Sequence, residues 1–255
     1  MQDQHTHFTD AAAVASYAAD TPRKVPGLAD LHRMVMLLLA EEAPPAAHVL
    51  VVGAGGGLEL LALATARPAW RFTGVDPSAA MLDLARQAVE PVAERVQLVT
   101  GLVDQVPAGL FDGATCLLTL HFLGRDERLW TLREIHRRLR PGARLVVVHH
   151  TLAGADAERW MARSVAFGAG ANPDRAGTEV AGKLMSQRLP LLTPHEEEEL
   201  LRSAGFVDVQ MFYAALSFRG WVATQAAPCE ATGASPGVAA AVQEVDQGLE
   251  RRAAP

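Results

Sequence analysis

The chain has 255 residues, 49% of them apolar, which is enough for one large domain with a substantial core. A formal net charge of −6 disfavours a broad basic surface for duplex nucleic acid, and the two cysteines, Cys116 and Cys229, stand far apart, with Cys116 in an apolar run that reads as a reduced core thiol in a reducing cytoplasm. The opening "MQDQHTHFTDAAAVASYAAD" lacks a basic flank followed by an apolar core, and the longest apolar run is broken by Glu59 and several glycines, so neither a secretion signal nor a membrane anchor is expected.

In chain order, the leader with His5 and His7 reads as unstructured. Leu28, Leu31, Val35, Leu38 and Leu39 then recur at helical spacing between Pro26 and Pro44-Pro45, a capping helix ahead of the core. Short Val/Leu-rich strands follow at 48–52, 71–75, 96–100, 113–118 and 144–148, separated by helical patterns at 58–66, 79–89 and 127–139, the last ended by "RPG". Strands that are apolar throughout and alternate with helices predict a doubly wound α/β sheet, mostly parallel and covered on both faces.

The alternation pauses after Val148. A loop of that length without structure is uncommon, so helices are expected near 157–167 and 179–188, forming a lid. The pattern resumes with a helix at 194–203, N-capped by Thr193, and two strand-like runs, "GFVDVQMFY" and "LSFRGWVATQ", which would close the sheet as an antiparallel hairpin. "HEEEEL" reads as a solvated helix start favoured by the helix dipole. The expected organisation is therefore a leader and capping helix (1–45), a core (46–150), a lid (151–192), a closing helix and hairpin (193–225), and a tail (226–255) that is mobile or a weak helix around 238–251.

"VLVVGAGGGLELLALA" turns a strand into a helix through glycines. At the carboxyl edge of a parallel sheet this is where ligands collect: Gly53, Gly55 and Gly57 allow left-handed backbone and close approach, and the amides opening the helix are free donors. The dinucleotide fingerprint would need Gly or Ala where Leu58 or Leu60 stands, which argues against a nicotinamide enzyme. Asp76, at the end of the next strand, is placed to accept from ribose hydroxyls.

"VLVVGAGGG", "GVDPSAAMLDLAR", "FDGATCLLTLHFL" and "LREIHRRLRPGARLVVV", in this order, resemble the successive motifs of class I S-adenosylmethionine-dependent methyltransferases. The resemblance implies a seven-stranded Rossmann-like sheet with an antiparallel last strand. It implies S-adenosylmethionine as cofactor, with Gly53, Ala54, Gly55 and Gly57 along its methionine portion and Asp76 on the ribose, flanked by Pro77 and Met81. Gly101, Leu102 and Val103 of "TGLVDQVP" would line the adenine, and Leu118 and Thr119 would lie beneath the sulfonium. Tyr17 of the leader would close over the donor. Two positions depart from the family: Val51 replaces the usual acid ahead of the first glycine, and Leu102 the acid of the adenine turn, with Asp104 close enough to substitute for it. Restoring an acid at 51 or 102 is expected to tighten cofactor binding.

"RKVPGLADLHRMVMLLLAE", "LTLHFLGRDERLWTLREIHRRLRPG" and "LLTPHEEEELLRSAGFVDVQMFYAALSFRGWVA" further resemble the carboxy-S-adenosylmethionine synthases of tRNA wobble-uridine modification. That family pairs an arginine of the lid with its carboxylate, and here the position is Leu184, with Lys183 and Arg188 near it. The reading that follows is methyl transfer to a small-molecule acceptor, with the synthase activity or a non-catalytic cofactor-binding role as alternatives. Methyl transfer needs donor and acceptor held in line and water excluded, with a base for a protic acceptor. His121 is the expected base, and His149 and His150 are further candidates at the same edge. No metal is expected, since His149 and His150 point to opposite faces of a strand. Trp160, Met161 and Phe167 either line an acceptor pocket or pack the lid. The protein is expected to be a cytoplasmic monomer or homodimer without a membrane partner.

Overall fold

The computed structural model describes residues 11–107, 109–154 and 156–226, the side chains of 11–15 and 18 excepted. His5, His7, Cys229 and the helix expected around 238–251 lie outside the described residues. The chain runs α1 (Ala11–Lys24), α2 (Leu28–Ala40), β1 (His48–Val52), α3 (Leu58–Ala66), β2 (Arg71–Asp76), α4 (Ala79–Ala88), β3 (Val96–Thr100), β4 (Phe111–Leu117), α5 (Arg125–Arg138), β5 (Leu139–His150), α6 (Ala157–Ala169), α7 (Arg175–Arg188), α8 (Pro194–Ser203), β6 (Phe206–Ala215) and β7 (Phe218–Gln225). The strands form one seven-stranded sheet of order β3-β2-β1-β4-β5-β7-β6, with β7 antiparallel to both β5 and β6. This is the doubly wound Rossmann-like sheet with an antiparallel last strand that the sequence predicts.

The sheet forms because its strands are apolar on both faces. β1 and β4 are buried almost end to end, and each face is covered by its own apolar layer. Leu31, Val35 and Leu39 of α2 join Leu60 and Leu63 of α3 and Leu82 of α4 on one face. Leu132 and Ile135 of α5 join Leu200 and Leu201 of α8 on the other, with Cys116 among them. Cys116 is a free thiol, and burial pushes its pKa up, so it stays protonated.

Helix starts follow local chemistry. The Ser78 hydroxyl accepts from the Met81 N–H at 3.3 Å, and Asp156 accepts from the Arg159 N–H at 2.9 Å. Thr193 and Glu196 form a reciprocal capping box with Pro194 in the first turn of α8.

Five elements differ from the sequence expectation. Residues 11–24 form a helix in what reads as leader. β4 begins at Phe111 and β5 at Leu139, because these two residues pair ahead of a bulge, so the "RPG" that should only stop a helix lies inside a strand. α7 starts at Arg175, where Asp174 accepts from the N–H groups of Ala176 and Gly177. The acidic run of α8 is not uniformly solvated: Glu197 is 2% exposed and pairs with the fully buried Arg128 of α5.

α1 and α2 meet at Val25–Gly27, where Gly27 has φ +64°. The Tyr213 hydroxyl of β6 donates to the Pro26 carbonyl at 2.6 Å and pins this joint to the sheet. α2 packs on α3 and β5, and α1 on α6 and α4. Among the described residues no helix is long and apolar enough to cross a membrane.

Candidate functional site

The strand order reverses between β1 and β4, and the segments leaving both strands meet there. The turn after β1 is built on Gly53, Gly55 and Gly57, with φ of 73°, 49° and 80°. A Cβ on Gly53 would fall 2.0 Å from Thr119 Oγ1, and one on Gly57 would fall 2.9 Å from the Ala85 backbone. Only glycine closes this turn against Ala85 of α4 and the residues leaving β4. Gly57→Ala is expected to cost about 1–3 kcal/mol through left-handed strain and displacement of α4, read as a lowered midpoint in urea.

A cavity lies over this turn, bordered by Tyr17 and Thr21 of α1, by Leu28, Leu31 and His32 of α2, and by Gly53, Ala54, Leu58, Glu59, Leu117 and Leu118. Leu118, at the end of β4, holds φ +57°, a left-handed conformation unusual for a branched residue and of the kind that collects at functional sites.

Three titratable groups face the cavity. Burial pushes the Tyr17 phenol above its ordinary value, keeps His32 neutral with a pKa lowered to about 4, and raises Glu59 to about 7, an effect that the neighbouring Thr115 hydroxyl partly offsets. Glu59 is 8% exposed, and its Oε1 is buried without a hydrogen-bond partner. Neither His32 nor Glu59 is anticipated from sequence. The available signal was a lone charge in "LELLALATA", whose other residues are apolar or small.

Beside the cavity, Asp76 ends β2. Its Oδ2 accepts from the Gly55 N–H and its Oδ1 from the Ser78 N–H, both at 2.9 Å, while the Gly101 N–H donates to the Asp76 carbonyl at 3.0 Å. These bonds lock the glycine turn, the end of β2 and the turn after β3 into one wall. Met81 is buried beneath Gly55, Pro77 is exposed, and Leu102 is 45% exposed, as a residue covering a flat ring would be. Val103 turns its side chain into the core beneath α5. Asp104 is exposed, and its carbonyl accepts from Arg138.

Of the residues expected at the cofactor, then, Tyr17, Gly53, Ala54 and Leu118 border the cavity. Gly55, Asp76 and Gly101 are joined by hydrogen bonds next to it, and Gly57 and Thr119 shape the turn. His121 does not border the cavity. It is buried in the short turn Leu120–Phe122, with Nδ1 unpartnered and its ring 4.9 Å from that of His150. Burial and the neighbouring imidazoles hold it neutral.

His150 Nδ1 lies 2.7 Å from Ser217 Oγ, which lies 2.6 Å from Ser164 Oγ of α6, so a buried polar chain joins the end of β5 to the lid. His149 points to the opposite face, 3.1 Å from Glu197. Met161 is fully buried against the sheet side of α6, Phe167 is 46% exposed, and Trp160 carries the Arg163 guanidinium 4.3 Å above its ring, so none of the three lines the cavity.

Residues 49–142, which contain the glycine turn, Asp76 and the β4 edge, match the family described as a methyltransferase domain. This stretch is similar to the S-adenosylmethionine-dependent methyltransferases. Across 87% of its length the chain is 29% identical to a carboxy-S-adenosyl-L-methionine synthase of Chromohalobacter salexigens, covering 84% of that protein. It is 32% identical over 49% of its length to a demethylmenaquinone methyltransferase of Symbiobacterium thermophilum, covering 48% of it. An O-methyltransferase family protein from Burkholderia thailandensis shares the fold, with a TM-score of 0.62 and 14% identity over 88% of this chain; the chain spans 63% of that structure.

The methyltransferase family implies S-adenosylmethionine as cofactor, and the residues present fit it. Gly53 lends the cavity a stretch of bare backbone, the buried Glu59, with one carboxyl oxygen without a partner, borders it, and a carboxylate anchored by two amides stands at the end of β2. Two expectations about substituted positions change with the geometry. Val51 is fully buried and pairs in register with Thr115, so an acid there would be a charge in the core beside Glu59 and would not simply tighten binding. Leu184 is 44% exposed on α7, and Lys183 and Arg188 are exposed too, so this stretch of the lid directs no cation into the cavity.

Proposed function

We propose that the protein transfers the methyl group of S-adenosylmethionine to a small-molecule acceptor. The observation that supports this reading is the glycine turn joined to Asp76 where the strand order reverses, beside a cavity bordered by the chain's own helices α1 and α2. When bound, the cofactor supplies an electrophilic methyl on a sulfonium. The glycine backbone and Asp76 orient the donor, Tyr17 and Leu31 exclude water, and the strained Leu118 fixes the edge across which the acceptor approaches. For a protic acceptor a base must take the proton, and His121, buried in the turn Leu120–Phe122 away from the cavity, is not placed to do so.

His121→Ala is expected to keep turnover within about tenfold of wild type and S-adenosylhomocysteine affinity unchanged, measured by initial rates and calorimetry; a fall of about 10²- to 10⁴-fold in rate alone would instead make His121 the base. The first experiment is mass spectrometry of any small molecule released on denaturing the purified protein, followed by methyl transfer to candidate acceptors. S-adenosylmethionine or S-adenosylhomocysteine supports the reading.

A second reading, carboxy-S-adenosylmethionine synthesis, is favoured by the extent of similarity to proteins of that name. Among the described residues no lysine or arginine borders the cavity to pair with a carboxylated donor. Release of the carboxylated form would overturn the first reading in favour of this one.

A further inference from the structure

Among the described residues Glu59 is the one acidic side chain bordering the cavity, and it lies in the first turn of α3, just past the glycine turn. Its carboxyl is nine-tenths buried, and one oxygen faces no donor. Among the described residues no lysine or arginine pairs with it. A buried, unpaired carboxylate is retained at a cost unless a ligand supplies the cation.

Where the carboxyl sits narrows the ligand. It lies beside the Thr115 hydroxyl, and Thr115 is the register partner of Val51. Val51, Thr115 and Glu59 therefore share one face of the sheet edge, and the Glu59 carboxyl reaches from the helix side the volume that an acid at position 51 would fill from the strand. The apolar residue at 51 and the buried acid at 59 are two halves of one exchange.

We propose that Glu59 receives the ammonium group of the methionine portion of the donor, supplying from α3 the charge that β1 lacks. This rests on the cofactor reading above. Among the described residues no other one bordering the cavity carries a fixed charge: Tyr17 and Thr21 from α1 offer hydroxyls, and His32 from α2 is neutral. Cys116, behind Glu59 on β4, stays a thiol, and the Asp76 carboxylate of β2 is already held by the Gly55 and Ser78 amides.

The test is calorimetry of the intact wild-type chain and Glu59→Gln with two ligands: S-adenosylhomocysteine, which carries the amino-acid tail, and 5′-methylthioadenosine, which lacks it. The expected result is that E59Q loses S-adenosylhomocysteine affinity on the order of 10- to 100-fold and keeps its methylthioadenosine affinity. Wild-type affinity for S-adenosylhomocysteine should also rise on the order of tenfold between pH 5.5 and 7.5 as Glu59 ionises, with a flat profile in E59Q. Unchanged S-adenosylhomocysteine binding in E59Q would overturn the assignment and leave the cofactor reading standing. Equal loss of both ligands, with an unchanged melting curve, would make Glu59 a shaping residue and overturn it too. A wild-type chain that binds neither ligand would overturn the cofactor reading itself.

Discussion

Glu197→Ala is expected to destabilise the fold by about 3–5 kcal/mol, the largest effect of any single substitution considered for this chain. Arg128 is 0% exposed and Glu197 2% exposed, and the two are paired beneath α5 and α8. The Arg128 guanidinium also donates to the Leu123 carbonyl at 3.1 Å and to the Pro190 carbonyl at 3.0 Å, so it ties α5 to the chain leaving the lid. Removing the carboxylate leaves a guanidinium that cannot deprotonate, in a space where only two carbonyls remain to meet it. Urea denaturation should show the loss as a lowered midpoint with unchanged slope. The double variant Arg128→Met with Glu197→Leu should recover most of it, because removing both charges removes the desolvation cost along with the attraction. A double variant as unstable as Glu197→Ala would mean that the carbonyl bonds of Arg128, and not its charge pairing, hold the junction.

The second large effect comes from Glu59 in the ligand-free protein. Its carboxyl titrates at an ordinary value of 4.5 in the unfolded chain and at about 7 in the folded one, where burial disfavours the charge. The protonated form is therefore the better-folded form. The stability it confers is fully present below pH 4.5 and is lost as the pH rises through about 7, a fall of about 3 kcal/mol. Glu59→Gln, neutral at every pH, should remove this slope. The variant should melt above wild type at pH 8 and level with it near pH 4.5. Superimposable wild-type and variant profiles across that range would place the Glu59 carboxyl in water.

Much of the architecture is legible in the sequence because the strands are uniformly apolar and the helices between them are periodic. Residues 48–52 and 58–66 need no tertiary information to be placed. The edges of β4 and β5 do, because Phe111 and Leu139 become strand only by pairing with each other across a bulge. α1 is absent from the sequence reading because "AAAVASYAADTPRK" has no stripe of large apolar residues; it is helical through alanine propensity and through packing on α6 and α4.

The glycine turn and Asp76 are readable because backbone geometry and strand ends constrain residue type locally. Glu59 and Glu197 are not, because each looks like an ordinary helix-surface acid until the fold sets a cavity against one and a buried arginine against the other. "HEEEEL" is the clearer example: Glu196 caps the helix, Glu198 accepts from the Trp221 indole, Glu199 is exposed to His195, and only Glu197 turns inward. One register in four was buried, and the local pattern carried no mark of which.

The joint between α1 and α2 gives the cavity a timescale. The Pro26 carbonyl is fastened to Tyr213, and α2 is anchored by Leu31, Val35 and Leu39 in the core, so the element left to move is α1, with Tyr17 and Thr21 on its inner side. On the proposed reading, release of a donor beneath Tyr17 requires α1 to part from α4 and α6, a unimolecular event independent of solute concentration. Substitutions on α1 should therefore be read in how long the ligand stays, with encounter rates little changed.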